Sequence, residues 1–324
     1  MAHRSPSQIW SQHFFRDPAR AASVVAHLPL TRHDTVYEIG PGTGLLTAPL
    51  AERAGCVVAI EVDPALCAHL RARFAASPHV RVVHADFLTY PLPTHPYIVV
   101  ANVPFAITAA IVTKLLDAPR PPRAAYLIVQ REAAARFAGS PCETQYSVLA
   151  KPWFTLAATE TFPRTAFTPA PRVDAVMLEI HQRAGPLVES EDADLYRAFV
   201  YYGFGWWRRS LKTSFRPVFS NLQFRRLAEA HHFPLDATPT QLTFGQWLGL
   251  FRGFRAHVPP YKQQALVARV REGQMPVSHR QRGPIALPLP RPPPGPGVIL
   301  WDCIAHLLSG ITERVTLLRA QRLS

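Results

Sequence analysis

Asn102-Val103-Pro104-Phe105 is the stretch richest in chemical possibility, and it follows directly on the apolar run Tyr97–Ala101. A side-chain amide and a backbone carbonyl can both accept hydrogen bonds, proline fixes the turn that aims them, and an aromatic ring offers a stacking face. This set suits reaction at an amino group attached to an aromatic ring. The lone pair of such a nitrogen is delocalised into the ring and is a poor nucleophile. Two acceptors aimed at its N–H groups, the Asn102 side-chain oxygen and the Val103 carbonyl, can hold the nitrogen more tetrahedral and in line with an electrophile. Phe105 would stack on that aromatic ring. The same four residues also fit a plain strand-to-loop turn, where Asn and Pro are common. What precedes them decides between the two.

Upstream lies Glu38-Ile39-Gly40-Pro41-Gly42-Thr43-Gly44, placed where a strand should end and a helix begin. Gly40, Gly42 and Gly44 would let the backbone turn sharply and approach a ligand. The spacing is G-x-G-x-G, whereas a dinucleotide loop reads G-x-G-x-x-G, and Glu38 stands just before the glycines. In class I methyltransferases an acid at that place faces the amino-acid part of S-adenosylmethionine. A second acid, Glu61, closes Val57-Val58-Ala59-Ile60, about twenty residues further on, where a carboxylate can accept both ribose hydroxyls. A third, Asp86, follows Val80–His84 and could accept the adenine amino hydrogens while Phe87 packs on the ring. Each acid alone also fits a strand-end cap. Three in order at successive strand ends point to S-adenosylmethionine, whose positive leaving group drives displacement without a metal or a strongly perturbed base.

These groups need a parallel sheet to bring strand ends to one edge. Thr35–Ile39, Val57–Glu61, Val80–His84, Tyr97–Ala101 and Ala125–Val129 are short, β-branched and bounded by Gly, Pro, Asp or Asn, as buried strands are. Helical stretches such as Leu45–Ala54 and Pro64–Ala75 lie between them. The alternation predicts an α/β, Rossmann-like, doubly wound sheet. Phe154–Thr161 and Ala175–His181 would close it with an antiparallel edge. From Asp192 to about Phe254 the pattern changes to helices dense in aromatic and basic residues, with Tyr196–Phe204, Phe224–His231 and Phe244–Phe251 as candidates. The expected organisation is a catalytic domain over 1–182, a small helical domain over 183–258, and a proline-rich linker with a terminal helix over 259–324. Gly283–Gly297 cannot be helix or central strand. Val298–Leu318 carries apolar residues at helical spacing. The motifs for chemistry all end earlier, so a chain ending at Pro260 is expected to fold and act.

The 324-residue chain carries a formal charge of +13, which points to a polyanionic partner. No run of about 18 uncharged apolar residues occurs, so the expectation is a cytoplasmic protein with nucleic acid, and not a membrane, as partner. Four cysteines, none in a C-x-x-C pair, and His231-His232 without a third ligand give no metal site.

With these motifs on the page, the chain resembles the rRNA adenine N6-methyltransferases, which include the Erm macrolide-resistance enzymes and the KsgA-type dimethyltransferases. The resemblance runs from Ser11 to near Phe254. Ser11-Gln12-His13-Phe14-Phe15-Arg16-Asp17 is similar to the family's Gln-Asn-Phe-Leu-x-Asp segment, with His13 in place of Asn. The resemblance implies that Gln12, His13 and Phe14 help close the cofactor pocket. Phe167-Thr168-Pro169-Ala170-Pro171-Arg172-Val173-Asp174 resembles the family's F-x-P-x-P-x-V-D element, and by that analogy Phe167 covers the other face of the flipped base.

Three features look more like Erm than KsgA: Ala106-Ile107-Thr108 after the tetrapeptide, Lys151-Pro152-Trp153-Phe154, and Leu242-Thr243-Phe244-Gly245-Gln246-Trp247-Leu248-Gly249-Leu250-Phe251. They imply 23S rRNA, at the adenine of the macrolide site, as naked RNA or an early assembly precursor, acted on by a monomer. The alternatives are a KsgA-like enzyme of small-subunit rRNA, a non-catalytic RNA-binding assembly factor, and a DNA adenine methyltransferase, from whose motif Val103 departs. Arg131, Arg136, Arg164 and Arg172 are expected near the pocket mouth. Arg208, Arg209 and Lys212, beside Trp206 and Trp207, offer further RNA contacts through phosphates and stacking.

Overall fold

The computed structural model describes residues 13–205 and 209–272. Gln12, Trp206, Trp207, Arg208, the proline-rich Gly283–Gly297 and the expected Val298–Leu318 helix lie outside the described residues.

Seven strands form one sheet: β2 (Thr35–Ile39), β3 (Cys56–Glu61), β4 (Val80–His84), β5 (Ile98–Asn102), β6 (Ala124–Gln130), β7 (Phe154–Phe162) and β9 (Ala175–Gln182). Their order is β4-β3-β2-β5-β6-β9-β7, parallel from β4 to β6 and antiparallel where β9 meets β6 and β7. Each strand expected from β-branched runs is present, and the last two close the sheet as an antiparallel edge. Alternate residues of one strand feed opposite faces. Tyr37 and Ile39 join a core with Val58, Val99 and Leu127. Val36 joins the opposite core with Val57, Ile98 and Tyr126.

The crossover helices are set by local capping. Asp17 accepts from Ala19 N at the start of α1 (Pro18–His27), and Asp63 accepts from Ala65 N and Leu66 N at the start of α3 (Pro64–Arg73), each with proline at the first position. Between them lies α2 (Thr47–Arg53). Then come α4 (Thr108–Leu116), α5 (Arg131–Ala138) and α6 (Gln145–Ala150). A two-stranded ribbon went unforeseen. In it β1 (Phe14–Phe15) pairs antiparallel with β8 (Phe167–Thr168), Phe14 opposite Thr168 and Phe15 opposite Phe167. Its strands are too short to show a period.

The second core is aromatic and helical, built by α7 (Ala193–Gly205), α8 (Leu211–Ser214), α9 (Asn221–Ala230) and α10 (Phe244–His257). Thr243 and Gln246 form a capping box at the start of α10. Trp247 next to it is fully buried, donates through Nε1 to Pro239 O at 3.0 Å and stacks on Phe204. The segment from 259, expected to be linker, differs. Residues 260–271 form α11 (Pro260–Arg271), which packs on α7 and buries Leu266 in this second core. Gln263 Nε2 donates to Arg255 O and Val258 O at the end of α10.

Candidate active site

Strand β2 pairs with β3 on one side and β5 on the other, so strand order reverses there. In open α/β sheets a crevice forms at such a switch point, outside the carboxyl ends of the strands. Glu38 on β2, Glu61 ending β3 and Asn102 ending β5 all reach that edge.

The glycine loop leaves β2 with positive φ at Gly40 (63°) and Gly42 (59°), a region L side chains rarely adopt. Their surroundings differ. A Cβ on Gly40 would meet nothing within 4 Å, so the loop has an open face there. A Cβ on Gly42 would lie 2.3 Å from Phe14 Cε1. The Phe14 ring therefore lies against the loop. The third glycine, Gly44, packs on α3 beside Leu70 and Phe74.

Glu38 is 1% exposed, and its Oε2 is buried without a hydrogen-bond partner. Burial pushes its pKa up to about 8, and the neighbouring Glu61 adds to the rise, while Thr47 and Arg73 oppose it. Glu61 is fully buried and is partly committed to the backbone. Its Oε2 accepts from Gly42 N at 3.0 Å, and its Oε1 accepts from Val62 N and Asp63 N. A carboxylate has about four acceptor positions, so capacity is left for a ligand. Asp86 Oδ1 accepts from Leu88 N at 2.8 Å, which fixes the turn after β4. Phe87 packs into the sheet core. Lys114 Nζ lies 5.0 Å from the centre of its ring.

Asn102 Nδ2 donates to His13 O at 2.5 Å. The His13 ring contacts Phe105 at 5.2 Å between centroids, and His13 Nδ1 bonds Pro169 O at 2.6 Å. One residue of the N-terminal segment thus joins the Asn102–Phe105 turn to the Phe167–Asp174 element. Phe105 is half-buried, and Val103 and Pro104 are buried, Val103 N donating to Ile128 O. Phe167 departs from expectation. It is 1% exposed and packs against Phe15 and Phe162, opposite Phe15 in the ribbon, so its ring belongs to the core and does not line the crevice.

The expected RNA-facing cations divide by what they touch. Arg131 lies 3.5 Å from Asp174, and the Arg136 guanidinium stacks over Tyr146 at 4.4 Å. Arg164, Arg172 and Arg209 are exposed, and Lys212 is half-buried. Arg131 and Arg164 N both meet Asp174, at the edge of β6 and β9 that also carries Asn102. Among the described residues no group of three His, Cys, Asp or Glu side chains is placed to hold a metal, and no helix is long and apolar enough to cross a membrane.

Sequence reasoning missed Lys114, whose ammonium meets three carbonyls of the Asp86–Tyr90 turn. A signal was present: it stands three residues after Ile111 and beside Leu115, both buried on the same helix. Arg73 was also missed. Its Nη1 donates to Thr43 O at 2.5 Å and ties α3 to the glycine loop.

Residues 6–254 match the family described as ribosomal RNA adenine dimethylase. The chain is 34% identical over 260 residues to a ribosomal RNA small subunit methyltransferase A of Synechococcus sp. (strain JA-3-3Ab), covering 76% of this chain and 91% of that protein. It is 40% identical over 166 residues to an rRNA adenine N-6-methyltransferase of Corynebacterium diphtheriae, covering 51% of this chain and 65% of that protein. The crystal structure of the 23S rRNA methyltransferase ErmE superposes with a TM-score of 0.70 at 31% identity, over 75% of this chain and 99% of that one.

Proposed function

Since the chain belongs to the ribosomal RNA adenine dimethylase family and is an rRNA adenine N6-methyltransferase, we propose that its substrate is the macrolide-site adenine of 23S rRNA. Methylation there, at the exocyclic N6, would confer macrolide-type resistance. The likeness to ErmE supports the 23S reading. The Synechococcus relative keeps the small-subunit reading open as the alternative. We further propose naked or early-assembly RNA as the form recognised, a monomer as the acting species and the cytoplasm as its place.

The observation that carries the chemistry is Asn102 at the switch-point edge with its N–H end held by His13 O, which leaves Oδ1 as the acceptor. S-adenosylmethionine bound in the crevice would supply an electrophilic methyl group on a positive sulfur. The residues present fit that cofactor. The orphaned Glu38 Oε2 calls for a cationic donor such as the amino group of the methionine part. The open face of Gly40 admits close approach. Glu61 has acceptor capacity left for ribose hydroxyls, and Asp86 with Phe87 suits the adenine.

Asn102 Oδ1 and the Val103 carbonyl would accept from the target amine and orient its lone pair towards the methyl group. Pro104 holds the turn, and Phe105 stacks on the flipped base, a contact that helps offset the cost of unstacking. The Phe167 ring, packed against Phe15 and Phe162, does not supply the second-face cover expected of it. Arg131, Arg164 and Arg172 at the same edge, with Arg209 and Lys212 on the helical part, would meet RNA phosphates. The test is transfer of labelled methyl to deproteinised 23S rRNA and, separately, to immature small subunits, followed by primer extension. A stop at the macrolide-site adenine is expected, and label confined to small-subunit RNA would establish the alternative.

A further inference from the structure

Helix α4 starts at Thr108, one 3-10 turn (Phe105–Ile107) beyond Asn102-Val103-Pro104, and its Lys114 reaches across to the loop that follows β4. There Lys114 Nζ donates to Phe87 O at 2.6 Å, Leu88 O at 2.9 Å and Tyr90 O at 2.5 Å. An ammonium has three N–H donors and no acceptor, so all three are used. The loop is a tight turn around Asp86. Leu88 N donates to Asp86 Oδ1, and Thr89 N and Tyr90 N donate to Asp86 O. The turn is tied by the Asp86 carboxylate on its amide side and by Lys114 on its carbonyl side. The same ammonium lies over the Phe87 ring.

This is more than a surface lysine needs. A half-buried ammonium loses hydration, and burial accordingly lowers the Lys114 pKa while Asp86 opposes the change. Three charge-assisted bonds to backbone carbonyls compensate for that loss. They hold in place the turn that carries Asp86 and Phe87, the two residues that the cofactor reading assigns to the adenine end of the crevice.

We infer that Lys114 is a positioning residue: from the helix that springs from the catalytic turn, it fixes the Asp86–Tyr90 turn and so sets where the cofactor's adenine lies relative to Asn102. The inference rests on the reading of this crevice as the S-adenosylmethionine site. It concerns alignment of the bound cofactor, since Lys114 itself touches neither the methyl group nor the target base.

The test uses the full chain with Lys114→Met, which keeps length and apolar character, and Lys114→Arg, which keeps the charge. Calorimetry measures affinity for S-adenosylmethionine and for 5′-methylthioadenosine, which has the adenine and ribose but no amino acid. Lys114→Met should weaken both by a similar factor, about tenfold, and should raise the cofactor KM far more than it lowers kcat. A planar guanidinium cannot point at three convergent carbonyls as a tetrahedral ammonium does, so Lys114→Arg should recover only part of the loss. Should Lys114→Met fail to fold, that partial loss in Lys114→Arg carries the test. Wild-type affinity for both ligands in a folded variant would overturn the inference, as would a loss for S-adenosylmethionine with none for 5′-methylthioadenosine. If the wild type bound neither ligand, the cofactor reading would fall and the inference with it, an outcome visible before any variant is made.

Discussion

The side-chain amide of Asn102 donates to the backbone carbonyl of His13 across 2.5 Å, joining residues 89 positions apart. An asparagine amide presents a donor end and an acceptor end, and only a partner decides which faces a substrate. His13 O takes the donor end. The oxygen is then the end left for the amine of a flipped base.

Replacing Asn102 with Ala should remove an acceptor used mainly in the transition state. Turnover is expected to fall by about a hundredfold or more, with cofactor affinity nearly unchanged. Steady-state kinetics beside calorimetry checks this, and near-normal kcat would exclude the role.

Glu61→Ala should weaken S-adenosylmethionine binding by roughly 1–3 kcal/mol, the cost of leaving buried hydroxyls unpaired. The same change strips Gly42 N of its acceptor. Calorimetry on the variant reads the loss directly, and unchanged affinity would mean that Glu61 serves the loop alone.

Glu38 gives a pH dependence. Its carboxyl ordinarily titrates at 4.5 and in the folded protein at about 8, so between those values folding takes up a proton. Stability must therefore fall as pH rises through that window. Wild-type melting temperature should drop from about pH 5 to about pH 8 relative to Glu38→Gln, which carries no titrating group there. A cationic ligand favours the ionised form. Cofactor affinity should thus rise with pH up to about 8 in the wild type and not in Glu38→Gln. Parallel pH profiles for the two proteins would refute the assignment.

Gly42→Ala should disturb the crevice from its covering side. The added Cβ would fall 2.3 Å from Phe14 Cε1 at a residue with φ 59°. Backbone strain alone is worth about 1–2 kcal/mol, and the Phe14 ring must also shift. Reduced melting temperature together with weakened cofactor binding is expected. A variant with wild-type values in both would show that Phe14 is not held against the loop in solution.

A chain ending at Pro260 should be less stable than one ending at Glu272, contrary to the expectation from motifs alone. It loses α11, whose buried Leu266 contributes about 1.5–3 kcal/mol. It also loses the Gln263 bonds to the end of α10. Thermal melting of the two chains should differ by roughly 5 °C or more, and coincident transitions would return α11 to the status of a dispensable tail.

Much of this protein is set by patterns that act over a few residues. The β-branched runs that became β2 to β6, the glycines that need positive φ and the acids at three strand ends are legible because a strand, a turn and a cap each depend on near neighbours. So is the Thr243–Gln246 capping box. Parallel strands then bring Glu38, Glu61 and Asn102 to one edge whatever the rest of the chain does.

Tertiary structure alone decided what each side chain meets when it gets there. The β1–β8 ribbon joins segments some 150 residues apart through two short strands without a periodic signal, and it moves Phe167 from the crevice into the core. The same long-range packing puts Asp174 beside Arg131 and Tyr146 under Arg136, groups that sequence offers simply as positive charge. It turns Lys114 inward onto carbonyls that no local pattern assigns to it. A residue's type fixes what it can donate or accept, but its partner is chosen by chain packing over distances that local propensity does not span.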